Sequence, residues 1–342
     1  MNPYLSVVLT GRNDNYGGDF LKRLQDFFDW NCALFESNKV DTEIIFVNWN
    51  PLENENSIEK LIQFPRKRHF VQIRIITIPA EIHEKFVNPN IRQTVPIFEF
   101  IAKNVGVRRA KGEFILSLNA DVLIHPNIIK YISEGKLSKN TYYRSNRYDF
   151  LEIQKIENIN HLYDSGIYVS MIGYNYRLNQ NINKKFQYLL FSFINEFRVK
   201  WQQFKFKNRD LFLSPFKSLI YDNAEFFAHC NASGDFMLIH RENWIKLKSY
   251  PENTFVSTHT DALFTIFAHS KLNEFVFNDP VFHQEHERRY SETLMNFDLE
   301  IRKAYFKFQK ISQDILANSD LEKYLNDESW GLNKITLPET II

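Results

Sequence analysis

The residues with the clearest capacity for chemistry stand at the end of an apolar run, KGEFILSLNADVLIHP, which covers residues 111–126. Asn119 and Asp121 follow the last leucine of this run and precede Pro126. A carboxylate at the tip of a core strand must be hydrated, paired or bound to a metal ion, because burying it alone is prohibitively expensive. Asp121 is therefore a candidate metal ligand, and an Asx-turn formed by Asn119 and Asp121 before Pro126 is the alternative interpretation.

A second cluster, VFHQEHE, brings two imidazoles close together in the sequence. His283 and His286 are three residues apart and follow an apolar stretch that indicates the end of a strand. Imidazole together with one carboxylate favours Mn²⁺ over Mg²⁺, which prefers an all-oxygen shell. An ordinary half-exposed polar role for both histidines is the other interpretation.

Further candidate residues occur in NASGDFMLIHRENW and VSTHTDALFTIFAHS. Gly234 and Asp235 are predicted to open a strand, which places a small residue next to a carboxylate. Thr258 or Thr260 is predicted to N-cap the helix that holds Asp261. Asp261 has two interpretations: a proton acceptor, or a first-turn partner of the helix dipole.

These residues must be positioned by the elements before them, in which short apolar runs alternate with amphipathic segments. Strands are predicted at 5–10, 43–48, 71–79 and 113–118, and helices at 20–37 and 97–110. This alternation predicts parallel βαβ units, in which ligands bind beyond the carboxyl ends of the strands. Polar residues stand at three such ends: Arg12, Asn13 and Asp14; Trp49 and Asn50; and Asn119 and Asp121.

Three converging polar strand ends indicate a nucleotide site, but the usual phosphate-binding motifs are missing. TGRNDNYGGDF lacks the G-x-G-x-x-G spacing, and the sequence contains no G-x-x-x-x-G-K-S/T. A phosphate held without a glycine cradle needs a divalent cation or basic side chains. Asp121 can supply a metal ligand, and Lys103, Arg108 and Arg109 lie on the helix that leads into its strand.

The overall composition excludes several other classes. The 342 residues include 42 basic and 41 acidic side chains, so we expect no nucleic-acid partner. Cys32 and Cys230 are too few for a disulfide framework and fit a reducing compartment. No stretch of about 18 apolar residues occurs, so we expect no membrane span. The expected location is cytoplasmic, with peripheral contact at the inner face of a membrane as an option.

The segment AKNVGVRRAKGEFILSLNADVLIHP resembles the D-x-D region of family 2-like glycosyltransferases with the GT-A fold. The likeness covers roughly residues 4–290, is weakest over 160–222, and points to a bacterial subgroup of unknown substrate. It continues through SVVLTGRNDNYGGDFLKRL, FVNWNP, YYRSNRYDF, NASGDFMLIHRENW, HTDALF and VFHQEHE. The fold that it implies is an α/β, Rossmann-like, mostly parallel sheet flanked by helices, with a helical insertion and a helical C-terminal extension.

The resemblance also implies roles for single residues. Asp121 stands for the last Asp of D-x-D, which binds the metal bridging the two phosphates, and Asn119 replaces the first Asp. His286 is the better match for a late metal ligand and His283 the second. Asp261 matches the general base of inverting enzymes, with Asp235 in reserve. The residues expected at the nucleotide-sugar are Thr10, Arg12, Asp14, Trp49, Asn50, Lys103, Asn104, Asn119 and Asp121, and those at the acceptor are Gly234 and Asp235.

The implied activity is metal-assisted transfer of a sugar from a nucleotide-diphosphate sugar to a hydroxyl of a glycan or lipid-linked acceptor, with Mn²⁺ or Mg²⁺ as cofactor. Two other classes stay open, because fold alone does not fix function. The missing first Asp suits a catalytically inactive nucleotide- or carbohydrate-binding protein. A sugar-phosphate nucleotidylyltransferase would need a basic Gly-rich loop, of which Gly17, Gly18, Lys22 and Arg23 are a poor imitation.

The expected organisation is one glycosyltransferase domain over 1–290, with a nucleotide-sugar half at about 1–140 and an acceptor half at about 141–290. An aromatic and basic insertion at about 160–222 lies within the second half, and 291–342 form the extension. Residues 183–218 combine aromatic and basic side chains. They fit a helix on an anionic membrane or a lipid-linked acceptor, a helix packed on its own core, or a subunit contact in a homo-oligomer.

Overall fold

The computed structural model of the protein describes residues 2–87, 96–207, 227–252, 259–287, 298–318 and 321–342. One sheet of eleven strands runs through these residues. The strands are β1 (Leu5–Gly11), β2 (Thr42–Trp49), β3 (Val71–Ile78), β4 (Phe114–Leu118), β5 (Val122–Ile124), β6 (Thr141–Phe150), β7 (Gly166–Met171), β8 (Tyr174–Arg177), β9 (Phe236–His240), β10 (Asn273–Gln284) and β11 (Glu339–Ile341).

The sheet has a parallel core and mixed edges. Its strand order is β11-β3-β2-β1-β4-β9-β6-β10-β5, and β7 and β8 continue from β6 as an antiparallel pair. Strands β3, β2, β1 and β4 are parallel to one another, β9 runs antiparallel to β4, and β10 runs parallel to β6. The carboxyl ends of β1, β2 and β4 therefore meet at one edge of the sheet, as predicted.

Helices cover both faces of this sheet. They are α1 (Phe20–Ser37), α2 (Ile58–Leu61), α3 (Ala80–His83), α4 (Glu99–Arg109), α5 (Pro126–Ser133), α6 (Ile159–Asp164), α7 (Lys184–Lys207), α8 (Arg241–Lys246), α9 (Thr260–His269) and α10 (Asp298–Asn318). The expected α/β fold, a mostly parallel sheet flanked by helices, is confirmed, and the sheet is mixed because antiparallel strands join its parallel core.

Alternation along the strands divides the core into two faces. Val7 and Leu9 of β1 pack in the cluster that contains α1 and α5, whereas Val8 packs in the cluster that contains α4 and α9. Neighbouring residues of a strand point to opposite faces, so a strand covered by helices on both sides is apolar throughout. This is why the first strand reads as the nearly continuous apolar run LSVVL.

The C-terminal residues pack on the second of these faces. Ile315, Leu321 and Trp330 belong to the same apolar cluster as α4 and α9. The chain then ends in β11, which runs antiparallel to β3 at the edge of the sheet. The predicted boundary at residue 290 falls in 288–297, outside the described residues.

Two local features differ from the sequence predictions. The N-cap of α9 is His259, with φ of 66° and no capping hydrogen bond from its side chain, and Thr260 is the first helical residue, so the capping prediction was wrong for Thr260. Thr258 lies outside the described residues. The segment 160–222 contains the strands β7 and β8 as well as α7, and its part from 208 onward lies outside the described residues.

Candidate functional site

A cavity of about 360 Å³ opens at the carboxyl ends of the parallel strands. The end of β1 and the loop after it form one wall, and the link between β4 and β5 forms the floor. The lining residues are Thr10, Gly11, Arg12, Asp14, Tyr16, Phe20, Pro96, Ile97, Glu99, Asn119, Ala120, Asp121, Arg147, Asp235, His283 and His286. Of the fourteen predicted site residues, Thr10, Arg12, Asp14, Asn119, Asp121, Asp235, His283 and His286 line the cavity.

Asp121 and the two histidines meet in this cavity. The Asp121 Oδ2 atom lies 3.3 Å from His286 Nε2, and its Oδ1 atom lies 3.8 Å from His283 Nε2. One ligand atom from each of the three residues falls within 4.8 Å of the others. The register of the sheet produces this meeting, since His283 on β10 pairs with Val122 on β5, next to Asp121.

A carboxylate behind His283 fixes the orientation of its ring. The Nδ1 atom of His283 lies 2.8 Å from Asp149 Oδ1, which leaves Nε2 directed at Asp121. Asp149 is opposite His283 in the pairing of β6 with β10. Metal-binding histidines usually engage a carboxylate or carbonyl with their second nitrogen, which sets the tautomer and raises the basicity of the ligand.

The donor set fits a divalent cation. Ligand atoms that share a metal ion are about 3–4 Å apart, given metal–ligand bonds of about 2.0–2.3 Å, and the separations from Asp121 to the two imidazoles fall in that range. The Asp121 Oδ1 atom is buried and accepts no hydrogen bond within the described part of the chain. One carboxylate and two imidazoles suit Mn²⁺ better than Mg²⁺.

The local electrostatics keep Asp121 ionised. Burial raises the pKa of Asp121, but the charges of His283, His286 and the Arg23 guanidinium outweigh burial and hold that pKa well below its ordinary value. Burial lowers the pKa of His283, but the charges of Asp121 and Asp235 and the hydrogen bond to Asp149 together outweigh burial, so the pKa of His283 is raised. The Asp121 carboxylate is therefore already ionised, whereas a cation that binds His283 must displace the proton that the raised pKa favours.

Asn119 does not face the Asp121 cluster. Its Nδ2 donates to Asp235 Oδ1 at 2.6 Å, and its Oδ1 accepts a hydrogen bond from Lys103 Nζ. Lys103 is fully buried and also donates to Glu99 at 2.9 Å and to the Gly234 carbonyl at 2.8 Å. The side chain of Asn119 is thus part of the cavity wall, and its bonds are not those of an Asx-turn.

The two candidate bases, Asp235 and Asp261, are linked through Gly234 but have different surroundings. Asp235 lines the cavity, is buried, and accepts hydrogen bonds from Asn119 and, at 3.0 Å, from Arg147 Nη1. Asp261 lies outside the lining, where its Oδ2 accepts from the Gly234 N–H at 2.7 Å. The Gly234 backbone, adjacent to Asp235, connects Asp261 to the cavity wall.

The β1 loop contributes one cation and one anion to the lining. Arg12 Nε donates to the Asn50 carbonyl at 2.6 Å, and its Nη1 lies 3.6 Å from Asp14 Oδ2. Thr10 Oγ1 donates to the Val47 carbonyl at 2.9 Å, which links β1 to β2. Asn50 has a positive φ of 47° and holds Arg12 through its backbone.

The structure does not bring Trp49 or Asn104 to the cavity. Trp49 is fully buried, and its indole N–H donates to His83 Nδ1 at 2.9 Å. Asn104 is fully buried and donates to the Tyr250 carbonyl and to Glu252, both at 2.8 Å. Both residues support the elements beneath the cavity through these contacts.

Several residues of the site were missed at the level of sequence. Arg147 lines the cavity and forms ion pairs of 3.0 Å with both Asp149 and Asp235. Glu99 and Tyr16 also line it, and Arg23 Nε lies 3.8 Å from Asp121. For Arg147 and its partner Asp149, the only signal in the sequence was their spacing, which places them two residues apart on one strand face.

Fold and cavity together define an α/β protein with a candidate metal centre at the carboxyl ends of its parallel strands. Solved structures similar to this chain include S. aureus TarS, with a TM-score of 0.40 and 12% identity over 94% of this chain and 41% of that chain. TarS 1–349 in complex with UDP-GlcNAc matches with a TM-score of 0.43 and 12% identity, over 93% of this chain and 71% of that one. No protein-family model matches this sequence, and neither does any curated protein. At this identity and these TM-scores the likeness carries no conclusion about activity.

Proposed function

We propose that this protein is a metal-assisted glycosyltransferase that moves a sugar from a nucleotide-diphosphate sugar to a hydroxyl acceptor. The observation that carries the proposal is the cluster of Asp121, His283 and His286 in a cavity at the carboxyl ends of parallel strands. This is where ligands bind in open α/β sheets. Two features of the sequence support the same assignment: the D-x-D-like segment around Asp121, and His283 and His286.

In this proposal, different residues of the cavity bind the metal ion and the nucleotide part of the donor. Asp121, His286 and His283 hold the cation, with Mn²⁺ preferred over Mg²⁺, and the cation neutralises charge on the leaving diphosphate when bound. Arg12, Asp14 and Thr10 face the nucleotide side. Lys103 and Asn119 shape the floor through the hydrogen bond that Lys103 Nζ donates to Asn119 Oδ1.

Asp261 is proposed as the general base and Asp235 as its alternative. The carboxylate accepts the proton of the attacking hydroxyl, which corresponds to inversion at the anomeric carbon. The bond from the Gly234 N–H fixes one oxygen of Asp261. Asp235 already accepts hydrogen bonds from Asn119 and Arg147, so its oxygens are engaged in holding the wall together.

The test is a thermal-shift screen of nucleoside diphosphates and nucleotide sugars, with and without Mn²⁺. A ligand in large excess over its dissociation constant stabilises the folded protein by about 3–4 kcal/mol. We expect a metal-dependent rise in melting temperature for wild type and none for Asp121→Asn, which keeps the size of the side chain but removes its charge.

Asp279→Asn is the matched control, because Asp279 also faces a histidine, with Oδ1 3.4 Å from His125 Nε2, but lies outside the cavity lining. It should bind like wild type. Metal-dependent binding that survives in Asp121→Asn would remove this residue from the site. Incubation of wild type with a donor and candidate acceptors then separates sugar transfer from binding without turnover and from pyrophosphate exchange with a nucleoside triphosphate.

A further inference from the structure

Helix α7 has two apolar faces, of which the fold buries only one. On the buried face, Tyr188 is almost inaccessible and its hydroxyl donates to the Asn278 carbonyl at 2.5 Å. Phe191 stacks on Tyr176 of β8 with ring centroids 4.6 Å apart. These contacts attach the helix to β10 and β8 and fix which of its faces points outward.

The outward face is a continuous apolar stripe. Seven large side chains on it are exposed, Phe193 by 68% and Phe197 by 74%. The seven are Phe186, Leu189, Leu190, Phe193, Phe197, Trp201 and Phe204, and they make up half of the large exposed hydrophobic residues in the described part of the chain. Their spacing of three and four residues places them on one side of a helix. We call these seven residues the α7 stripe.

The size of the α7 stripe separates it from ordinary surface exposure. Single exposed apolar residues are normal, whereas a contiguous apolar patch marks an interaction site. Ile182, two residues before the helix begins, is also exposed. From Phe186 to Phe204 the α7 stripe spans about 27 Å at 1.5 Å per residue.

The charges around the stripe are strongly one-sided. The helix sequence contains six basic residues and one acidic residue, Glu196: the basic residues are Lys184, Lys185, Arg198, Lys200, Lys205 and Lys207. Glu196 pairs with Lys200 at 2.6 Å. Lys185 and Arg198 lie over the rings of Tyr163 and Tyr174, at 5.2 and 4.6 Å, rather than against a carboxylate. Basic residues exceed acidic ones by five in the helix sequence, so the net charge of the helix is positive.

We propose that the α7 stripe docks on an anionic lipid bilayer, with the helix lying in the plane of the interface. Apolar side chains enter the boundary between headgroups and acyl chains, the Trp201 indole suits the interface, and the basic residues meet anionic headgroups. Pairing with a second copy of the helix would bring two positively charged faces together, which opposes self-association. In the described residues no helix is both long and apolar enough to cross a bilayer, so the contact is peripheral.

Vesicle flotation tests this inference independently of the proposed transfer reaction. The full chain is mixed with phosphatidylcholine vesicles that contain or lack phosphatidylglycerol, in the absence of metal and nucleotide. We expect binding to the anionic vesicles, with at least a tenfold weaker partition for the double variant Phe193→Ser/Phe197→Ser, because two large apolar side chains no longer enter the bilayer. Lys200→Gln should weaken partition about fivefold, and added salt should weaken it further.

Phe306→Ser is the matched control, since Phe306 is an equally exposed phenylalanine, 69% accessible, on α10. It should float like wild type, and thermal unfolding of every variant checks that the exposed substitutions leave the fold intact. Failure of wild type to bind anionic vesicles overturns the proposal. So does equal binding by the double variant. If wild type is a dimer in solution and Phe193→Ser/Phe197→Ser dissociates it, the α7 stripe is a self-association surface instead. If the protein is a monomer that binds no lipid and its α7 stripe is protected from chemical labelling, residues 208–226 are the alternative occupant.

Discussion

At the scale of single residues, the two histidines beside Asp121 are the sharpest test of the candidate metal centre. His286→Ala should weaken Mn²⁺ binding at least about tenfold, since loss of even an outer partner of a metal site costs that much. Mg²⁺ binding should change less, because imidazole is a poor ligand for the harder ion. Isothermal calorimetry with each metal measures the contrast.

His283→Ala belongs in the same experiment. Its ring is buried and held by Asp149 at 2.8 Å, so its loss should also lower Mn²⁺ affinity. His240→Ala is the control, as His240 is the last residue of β9 and lies outside the cavity lining. If all three variants bind Mn²⁺ as wild type does, the cluster is structural and the metal assignment fails.

The carboxylate that accepts the proton can be identified by separating transfer from donor binding. Asp261→Asn keeps the hydrogen bond to the Gly234 N–H but cannot take a proton, so transfer should fall by about two to four decades while donor binding survives. Asp235→Asn should also weaken donor binding, because Arg147 loses one of its two carboxylate partners in the cavity. Single-turnover assays compare both variants; full activity of Asp261→Asn with loss in Asp235→Asn would reverse the assignment.

The sequence identified the residues that meet at the cavity better than the contacts that support them. Asp121, His283 and His286 could be found because their residue types are unusual at the tips of apolar runs. Arg147 and Asp149 could not be identified in this way. The segment YYRSNRYDF has polar residues on both faces of the strand, and its sequence does not indicate which face lines the cavity. That choice depends on the pairing of β6 with β10, a contact across more than a hundred residues of sequence.

At the scale of elements, the central strands were predictable within a residue or two. The apolar runs at 5–10 and 113–118 correspond to β1 and β4. Short strands such as β5, β8 and β11 were not predicted, because three or four residues give no reliable periodicity. Whether such residues form a strand depends on pairing with a neighbouring strand. The α9 cap was missed for a similar reason, since His259 takes a left-handed conformation that its sequence does not announce.

A buried ion pair ties three elements together and provides a test at this scale. Glu43 on β2 bonds Arg74 on β3 at 2.6 Å, and its other oxygen accepts from Ser6 and from the Lys111 N–H, both at 2.5 Å. Glu43→Gln removes one of the two carboxylates that bond the Arg74 guanidinium, and a hydrogen bond to a charged group contributes about 1.5–3 kcal/mol. Urea unfolding measures the loss.

Glu339→Gln is the comparison, because Glu339 on β11 bonds the same guanidinium at 2.6 Å from a more exposed position. It should cost less than Glu43→Gln. The hydrogen bond to Arg74 holds the pKa of Glu339 below its ordinary value of 4.5. This contribution to stability is present above that ordinary value and is lost as the pH falls through the lower folded-state pKa. Acid unfolding of Glu339→Gln should therefore show a weaker pH dependence; an unchanged profile would mean that the contact contributes nothing.

At the scale of the whole molecule, the C-terminal residues are joined to the helix that supports the cavity floor. Arg109 at the end of α4 donates to the carbonyls of Gly331, Leu332 and Ile335 at 2.7–2.9 Å. Arg108 lies over the Trp330 ring at 4.5 Å. Lys103, on the same helix, reaches the Asn119 side chain. We infer that the C-terminal segment and the sheet unfold together, although the sequence suggested a separate extension.

Gly331→Ala tests this coupling. Gly331 has φ of 65°, and a Cβ there would lie 2.6 Å from the Asn104 carbonyl oxygen, so α4 or the C-terminal segment must move. Gly135→Ala is the control: its φ is 67°, but a Cβ would meet nothing within 4 Å. The left-handed backbone alone should cost about 1–2 kcal/mol in both variants, and overpacking should add about 1–3 kcal/mol in Gly331→Ala. Urea unfolding followed by circular dichroism and tryptophan fluorescence should give one shared transition at a lower midpoint. Equal losses of unfolding free energy in the two variants would show that the C-terminal segment moves to accommodate the added Cβ at no energetic cost. A separate, earlier unfolding transition in Gly331→Ala would show that the C-terminal segment folds independently of the sheet.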